Sequence, residues 1–228
     1  VPGKSKILLI NSPNNPTGHV MTRENLAEIA EVCKELDLLV LSDEVYNTLV
    51  YDGAEAVSIS TFPGMKERTI VINSLSKSYA MCGWRIGYAA GPAEIIDRMS
   101  KMQENFNSGA NAAAQYAAAY ALEHRELTKE IQESFAERRK VALEGIRDIP
   151  GMRCVEPKGA FYLFPDIRAF GLDSKTFCDR LLDEAHVVCV PGSAFGSVGE
   201  GFIRMAYTAS KEDIQEAMRR IKDFCAKL

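Results

Sequence analysis

The sequence predicts an α/β protein: a mostly parallel sheet with one antiparallel strand, followed by a smaller α+β domain. Three observations lead there. Short, continuous apolar runs at residues 6–11, 38–42 and 69–73 have the character of strands buried on both faces. Each run ends in a polar, turn-forming cluster, and an amphipathic helical pattern separates the first two. Pro150-Gly151 then closes a long charged helical stretch, and beyond it the pattern changes to short strands and two helices.

The elements follow in order. Residues 6–11 break into Ser12-Pro13-Asn14-Asn15-Pro16-Thr17-Gly18, a dense turn signal. Thr22 is a suitable N-cap, and Leu26, Ile29, Ala30, Cys33 and Leu36 recur at helical spacing. The run at 38–42 leads into Asp43-Glu44-Val45-Tyr46, and the run at 69–73 into Ser74-Leu75-Ser76-Lys77. Right-handed crossovers make these three strands parallel, and ligands of such sheets sit beyond the carboxyl ends of the strands. Residues 86–90 follow too closely for a crossover helix, so that strand is expected to be antiparallel. Helices are expected from Pro92 toward Met102, over 111–122 with Tyr116 and Tyr120 one turn apart, and over 126–148. The alanine-rich helix suits either core packing or a subunit interface. On the long helix Ile131, Phe135, Arg138, Ala142 and Ile146 lie on or near one stripe.

The second half predicts a hairpin of 153–156 with 160–164 around Pro157-Lys158-Gly159, a helix over 174–184, strands at 187–190 and 202–207, and a closing helix over 211–226. The expected domains are 1–125, a linking helix at 126–149, and 150–228.

Composition narrows the function. Of 228 residues, 46% are hydrophobic and 25% charged, as in a soluble globular protein, and the net charge of -4 argues against nucleic acid or an anionic membrane as partner. No apolar run approaches membrane-spanning length, and the first residues lack the apolar centre of a secretion signal. Six cysteines and three histidines are scattered without metal-ligand spacing, so no metal is expected and a reducing cytoplasm is the simplest location.

The segment from Ser74 to Arg85 carries the chemistry. A lysine amine forms a Schiff base with a carbonyl, while neighbouring hydroxyls and a guanidinium suit a phosphate. Together they point to pyridoxal phosphate. A rival reading takes Ser74-x-x-Lys77 as the S-x-x-K of serine acyl-enzymes related to penicillin-binding proteins. The accompanying Ser-Asp-Asn and Lys-Thr-Gly strings are absent from the sequence.

The ordered strings Asn15-Pro16-Thr17-Gly18, Ser42-Asp43-Glu44-Val45-Tyr46, Ser74-Leu75-Ser76-Lys77 with Arg85, and Phe202-Ile203-Arg204-Met205-Ala206 resemble the fold-type I pyridoxal-phosphate aminotransferases of class I/II, the aspartate-aminotransferase-like group. Pro157-Lys158-Gly159-Ala160-Phe161-Tyr162 and Pro191-Gly192-Ser193-Ala194-Phe195-Gly196 are similar to its small-domain segments. The resemblance implies a partial large domain of that fold plus the small C-terminal domain. It implies that Lys77 holds the cofactor and moves the substrate's Cα proton, that Asp43 faces the pyridine nitrogen, and that Asn15 and Tyr46 bond the ring's phenolic oxygen. It assigns Ser74, Ser76 and Arg85 to the phosphate and Arg204, with Asn15, to the substrate carboxylate. An Asn-Pro peptide at 15–16 is often cis in that family.

The implied reaction is ping-pong amino transfer between an L-amino acid and a 2-oxo acid, with aspartate favoured by general likeness, in a homodimer. Relatives are longer, and the chain is expected to start at their fourth large-domain strand, without their glycine-rich phosphate turn and stacking aromatic. Two other readings stay open: a non-catalytic folded piece or assembly module of such an enzyme, and a β-lyase using the same lysine.

Overall fold

The computed structural model describes residues 3–228. The chain forms two compact units. One runs to Pro13 and resumes from Val20 to Gln132; the other comprises Asn14–His19 and Glu133–Leu228.

In the first unit, β1 (Ile7–Asn11), β2 (Leu39–Asp43), β3 (Thr69–Ser74) and β4 (Gly87–Ala90) form a sheet in the order β1-β2-β3-β4. The first three are parallel and β4 is antiparallel to β3, as its short connection requires. Between β1 and β2 lies α1 (Arg23–Glu35). Its Thr22 cap accepts from the Asn25 N–H at 3.2 Å, and the Asn25 side chain accepts from the Thr22 N–H at 3.3 Å, so a capping box fixes the start. Leu26, Ala30 and Cys33 of the expected stripe are buried against Ile10, Leu38, Val40, Ile59 and Met65, whereas Leu36, at the end of the helix, is exposed. The opposite sheet face is more open, with Ile7 and Leu9 exposed.

After β3 the chain makes one helical turn, α2 (Leu75–Ser78), before β4. The helices α3 (Ala93–Asn107) and α4 (Ala112–Glu123) follow. On α4 the alanines at 114, 118 and 121 pack against Leu75 and Ile86, while Tyr116 and Tyr120 are exposed, so the tyrosines are not core residues. The division between units falls inside α5 (Leu127–Arg147), between Gln132 and Glu133.

The second unit contains β5 (Tyr162–Leu163), α6 (Ser174–Ala185), β6 (Val190–Pro191), β7 (Ile203–Ala206) and α7 (Lys211–Cys225). Its sheet has the antiparallel order β5-β7-β6. The expected hairpin of 153–156 with 160–164 does not form. Arg153 makes an isolated bridge to Asp166, Val155 points to solvent, and Pro157 has no N–H to donate, so β5 pairs with β7 instead. Of the strand expected at 187–190, Val190 alone joins the sheet, opposite Arg204. On α5 Ala142 and Ile146 of the expected stripe are buried and Arg138 is half-buried, while the fully buried arginine is Arg139, whose Nε donates to the Pro157 carbonyl at 2.7 Å. Among the described residues no helix is long and apolar enough to cross a membrane, and no cluster of His, Cys, Asp or Glu is placed to hold a metal ion.

Candidate active site

Strand register decides what meets at the carboxyl edge of the first unit's sheet. Asn11 lies opposite Asp43, and Asp43 opposite Ile72. Side chains alternate between faces, so Asn11, Asp43 and Ser74 share the more open one. Asp43 is half-buried: its Oδ1 accepts from the Val45 N–H at 3.3 Å, and its carbonyl accepts from Ser12 N–H and Asn11 Nδ2 at 3.2 and 3.3 Å. Tyr46, at 4% exposure, sits in the turn that follows, where the Leu49 N–H donates to its carbonyl.

Glu44 points to the other face. It is buried, and Ser42 Oγ and Ser58 Oγ donate to its Oε1 at 2.8 and 2.6 Å. Burial raises its pKa above the ordinary 4.5, the two serine hydroxyls oppose that shift, and the Asp43 charge adds to it.

Ser74 ends β3 and caps α2. Its Oγ accepts from the Ser76 N–H at 3.1 Å and lies 3.0 Å from Ser76 Oγ, so the two hydroxyls form a pair one residue before Lys77. Lys77 is half-buried within the single turn of α2. Arg85 takes a left-handed backbone conformation with φ of 54°, and its exposed guanidinium donates to the Cys82 carbonyl at 2.8 Å. The structure thus gathers Asp43, Ser74, Ser76 and Lys77 at one sheet edge, while Arg85 donates to a carbonyl of its own loop.

Asn15 and Arg204 belong to the second unit. The loop Asn14–His19 closes on itself through Asn14 N–H to the His19 carbonyl and Gly18 N–H to the Asn14 carbonyl, both 2.8 Å. The Asn15-Pro16 peptide is cis, as is Ser12-Pro13. Gly18, with φ of +68°, presents its carbonyl to the N–H groups of Lys158 and Gly159 at 3.0 and 2.9 Å, and a Cβ there would collide with Pro157. The loop is therefore clasped to the 157–159 turn.

On β7, Arg204 Nη1 donates to Asn15 Oδ1 at 2.9 Å. Its guanidinium lies 4.7 Å from the Tyr162 ring centre and 5.0 Å from that of Phe195, and its Nε is buried without a hydrogen-bond partner. Tyr162 and Phe195 had no role in the sequence reading; the available signal was their place inside the two small-domain strings. Ser58 also had no role there, and no motif marked it: its contact with Glu44 spans 14 positions.

A two-unit α/β chain with a lysine just past a strand-end serine pair is the class that this architecture defines. The family description "Aminotransferase class I and II" matches residues 2–221, and the chain belongs to that family. It is 46% identical over 225 residues to the putative aminotransferase YugH of Bacillus subtilis, covering 98% of this chain and 58% of that protein. It is 45% identical over 222 residues to an aspartate aminotransferase of Pyrococcus abyssi, covering 96% of this chain and 57% of that one. Among solved structures, an aromatic aminotransferase of Pyrococcus horikoshii superposes with a TM-score of 0.96 at 45% identity, covering all of this chain and 61% of its own. The chain therefore spans somewhat more than half the length of these relatives and has, over that span, their fold.

Proposed function

We propose that the chain is the lysine-bearing part of a pyridoxal-phosphate-dependent aminotransferase that exchanges an amino group between an L-amino acid and a 2-oxo acid in a ping-pong sequence. The carrying observation is the sheet-edge cluster of Asp43, Ser74, Ser76 and Lys77 in a chain of the aminotransferase class I and II family.

The residues present fit the cofactor. The paired serine hydroxyls and the Arg85 guanidinium are phosphate donors, and the half-buried Asp43 carboxylate suits a protonated ring nitrogen. When bound, pyridoxal phosphate supplies an electron-withdrawing ring that stabilises negative charge at the substrate Cα. Lys77 Nζ would hold the cofactor and carry the proton to and from that carbon. Asp43 would keep a proton on the ring nitrogen, and Tyr46 would donate to the ring's phenolic oxygen. In the second unit, the orphaned Nε of Arg204 beside its Asn15-bound Nη1 suits a carboxylate, the group shared by every α-amino and 2-oxo acid. Aspartate is the first substrate to try, since one relative is named for it; another is named for aromatic amino acids. A homodimer in the cytoplasm completes the reading.

The test is titration with pyridoxal phosphate, borohydride reduction and peptide mapping. Stoichiometric labelling at Lys77, abolished in Lys77→Ala, is expected. Labelling that persists at another lysine in that variant would overturn the assignment.

A further inference from the structure

Beside the lysine segment, where β3 runs into α2, the first unit holds a polar cavity of about 250 Å³. Thr48, Asn73, Ser78, Tyr79, Tyr88 and Arg125 line it, along with Ser74, Asn47 and Thr128. Ser76, Lys77 and Arg85 do not line it, so Ser74 is the one group shared with the proposed cofactor residues.

Two features point to a ligand. Ser78 is 3% exposed and its hydroxyl has no hydrogen-bond partner, and the buried Thr48 hydroxyl has none either. Buried polar groups are ordinarily satisfied, so two orphans on one cavity wall are a specific signal. The second feature is chemical sign. Asn73 Oδ1 already accepts from the Ser74 N–H at 2.8 Å, which leaves the amide's NH₂ end as the group with bonds to give. Arg125 has no carboxylate partner among the described residues, and its charge acts on both Tyr79 and Tyr88, against the burial that raises their pKa values. No carboxylate lines the cavity. The negative groups that act on these tyrosines are Glu44, on Tyr88, and Glu126, on Tyr79, and burial raises the pKa of Glu44.

We propose that this cavity is a binding site for a small tetrahedral oxyanion of the inorganic phosphate type, held by Arg125 and by the hydroxyls of Ser78 and Thr48. A guanidinium with converging neutral donors and no competing carboxylate is the donor set such an ion requires. The proposal does not depend on the catalytic reading.

The experiment separates this cavity from the Ser76–Arg85 donors. In a Ser76→Ala, Arg85→Gln background, inorganic phosphate is titrated at constant ionic strength, followed by unfolding temperature and by amide chemical shifts. The expected result is a saturable rise in unfolding temperature, with shifts centred on Thr48, Asn73 and Ser78. Adding Arg125→Gln, an exposed position whose replacement leaves the core intact, is expected to weaken binding about tenfold. Selenate soaked into crystals is expected to give an anomalous peak between Arg125 and Ser78. Loss of all phosphate response in the background variant, an affinity indifferent to Arg125→Gln, or selenate found solely beside Arg85 would each overturn the proposal.

Discussion

Two arginines proposed for anionic groups are built in opposite ways. Arg204 is enclosed: two aromatic rings lie within 5.0 Å of its guanidinium, Asn15 takes one nitrogen, and Nε is buried with its hydrogen undirected. Arg85 is exposed, stands on a left-handed residue, and donates to a carbonyl three positions away. The first arrangement fixes direction before any ligand arrives, so specificity is built into the apo geometry. The second leaves a long side chain able to swing, and its hold on an anion depends more on charge than on direction.

The strongest way to break this contrast is Arg204→Lys in the active enzyme. A lysine cannot offer parallel donors to a carboxylate, and the loss is expected to be about 2–4 kcal/mol of substrate binding. Steady-state kinetics should show KM for the amino acid rising while affinity for pyridoxal phosphate stays within a few-fold. An equal loss of cofactor affinity would contradict the division of labour. Next in size is Gly18→Ala, which forces a Cβ against Pro157 at a φ of +68° and is expected to cost about 2–3 kcal/mol in denaturant unfolding. Because Asn15 sits in the same loop, KM should rise as well.

Glu44→Gln sharpens the other side. Glu44 binds its proton more tightly in the folded state than its ordinary value of 4.5. Stability from this group therefore falls as pH climbs from about 4.5 through the raised folded value, and the loss is complete above it. In Glu44→Gln that slope should vanish in urea titrations run between about pH 4.5 and 7.5. A variant whose pH slope matches the wild type would show that another group carries it. The smallest effect is expected of Arg85→Gly. Relief of the left-handed backbone should raise the stability of the cofactor-free chain by about 0.5–1 kcal/mol even as phosphate affinity drops.

Much of the first unit was legible in the sequence because its strands are continuous apolar runs and each ends in a polar cluster. Period and punctuation gave β1, β2 and β3, and the short connection gave the reversed β4. The second unit was less legible. Its strands are two to four residues long, too short for alternation to register, and they pair with a strand about 40 positions away or across the 192–202 loop. The choice of Arg139 over Arg138 as the buried arginine turns on a carbonyl 18 positions away, which helical periodicity does not contain. Tyr162 and Phe195 reach Arg204 from separate segments, so neither motif alone reveals the stacking.

The loop at Asn14–His19 has a consequence for how the chain is assembled. The polypeptide changes unit after Pro13, after His19 and after Gln132, three times in all. The six residues Asn14–His19 must wait for a strand 189 positions further on before Asn15 can meet Arg204. A polypeptide beginning at Glu133 would thus lack a piece of its own unit, and a protease nick beside His19 would cut a tether although the cut lies far in sequence from the strands it serves. Closure of so long a loop is a slow, late event in folding. The second unit reaches its final form only when the Asn14–His19 segment comes back to it.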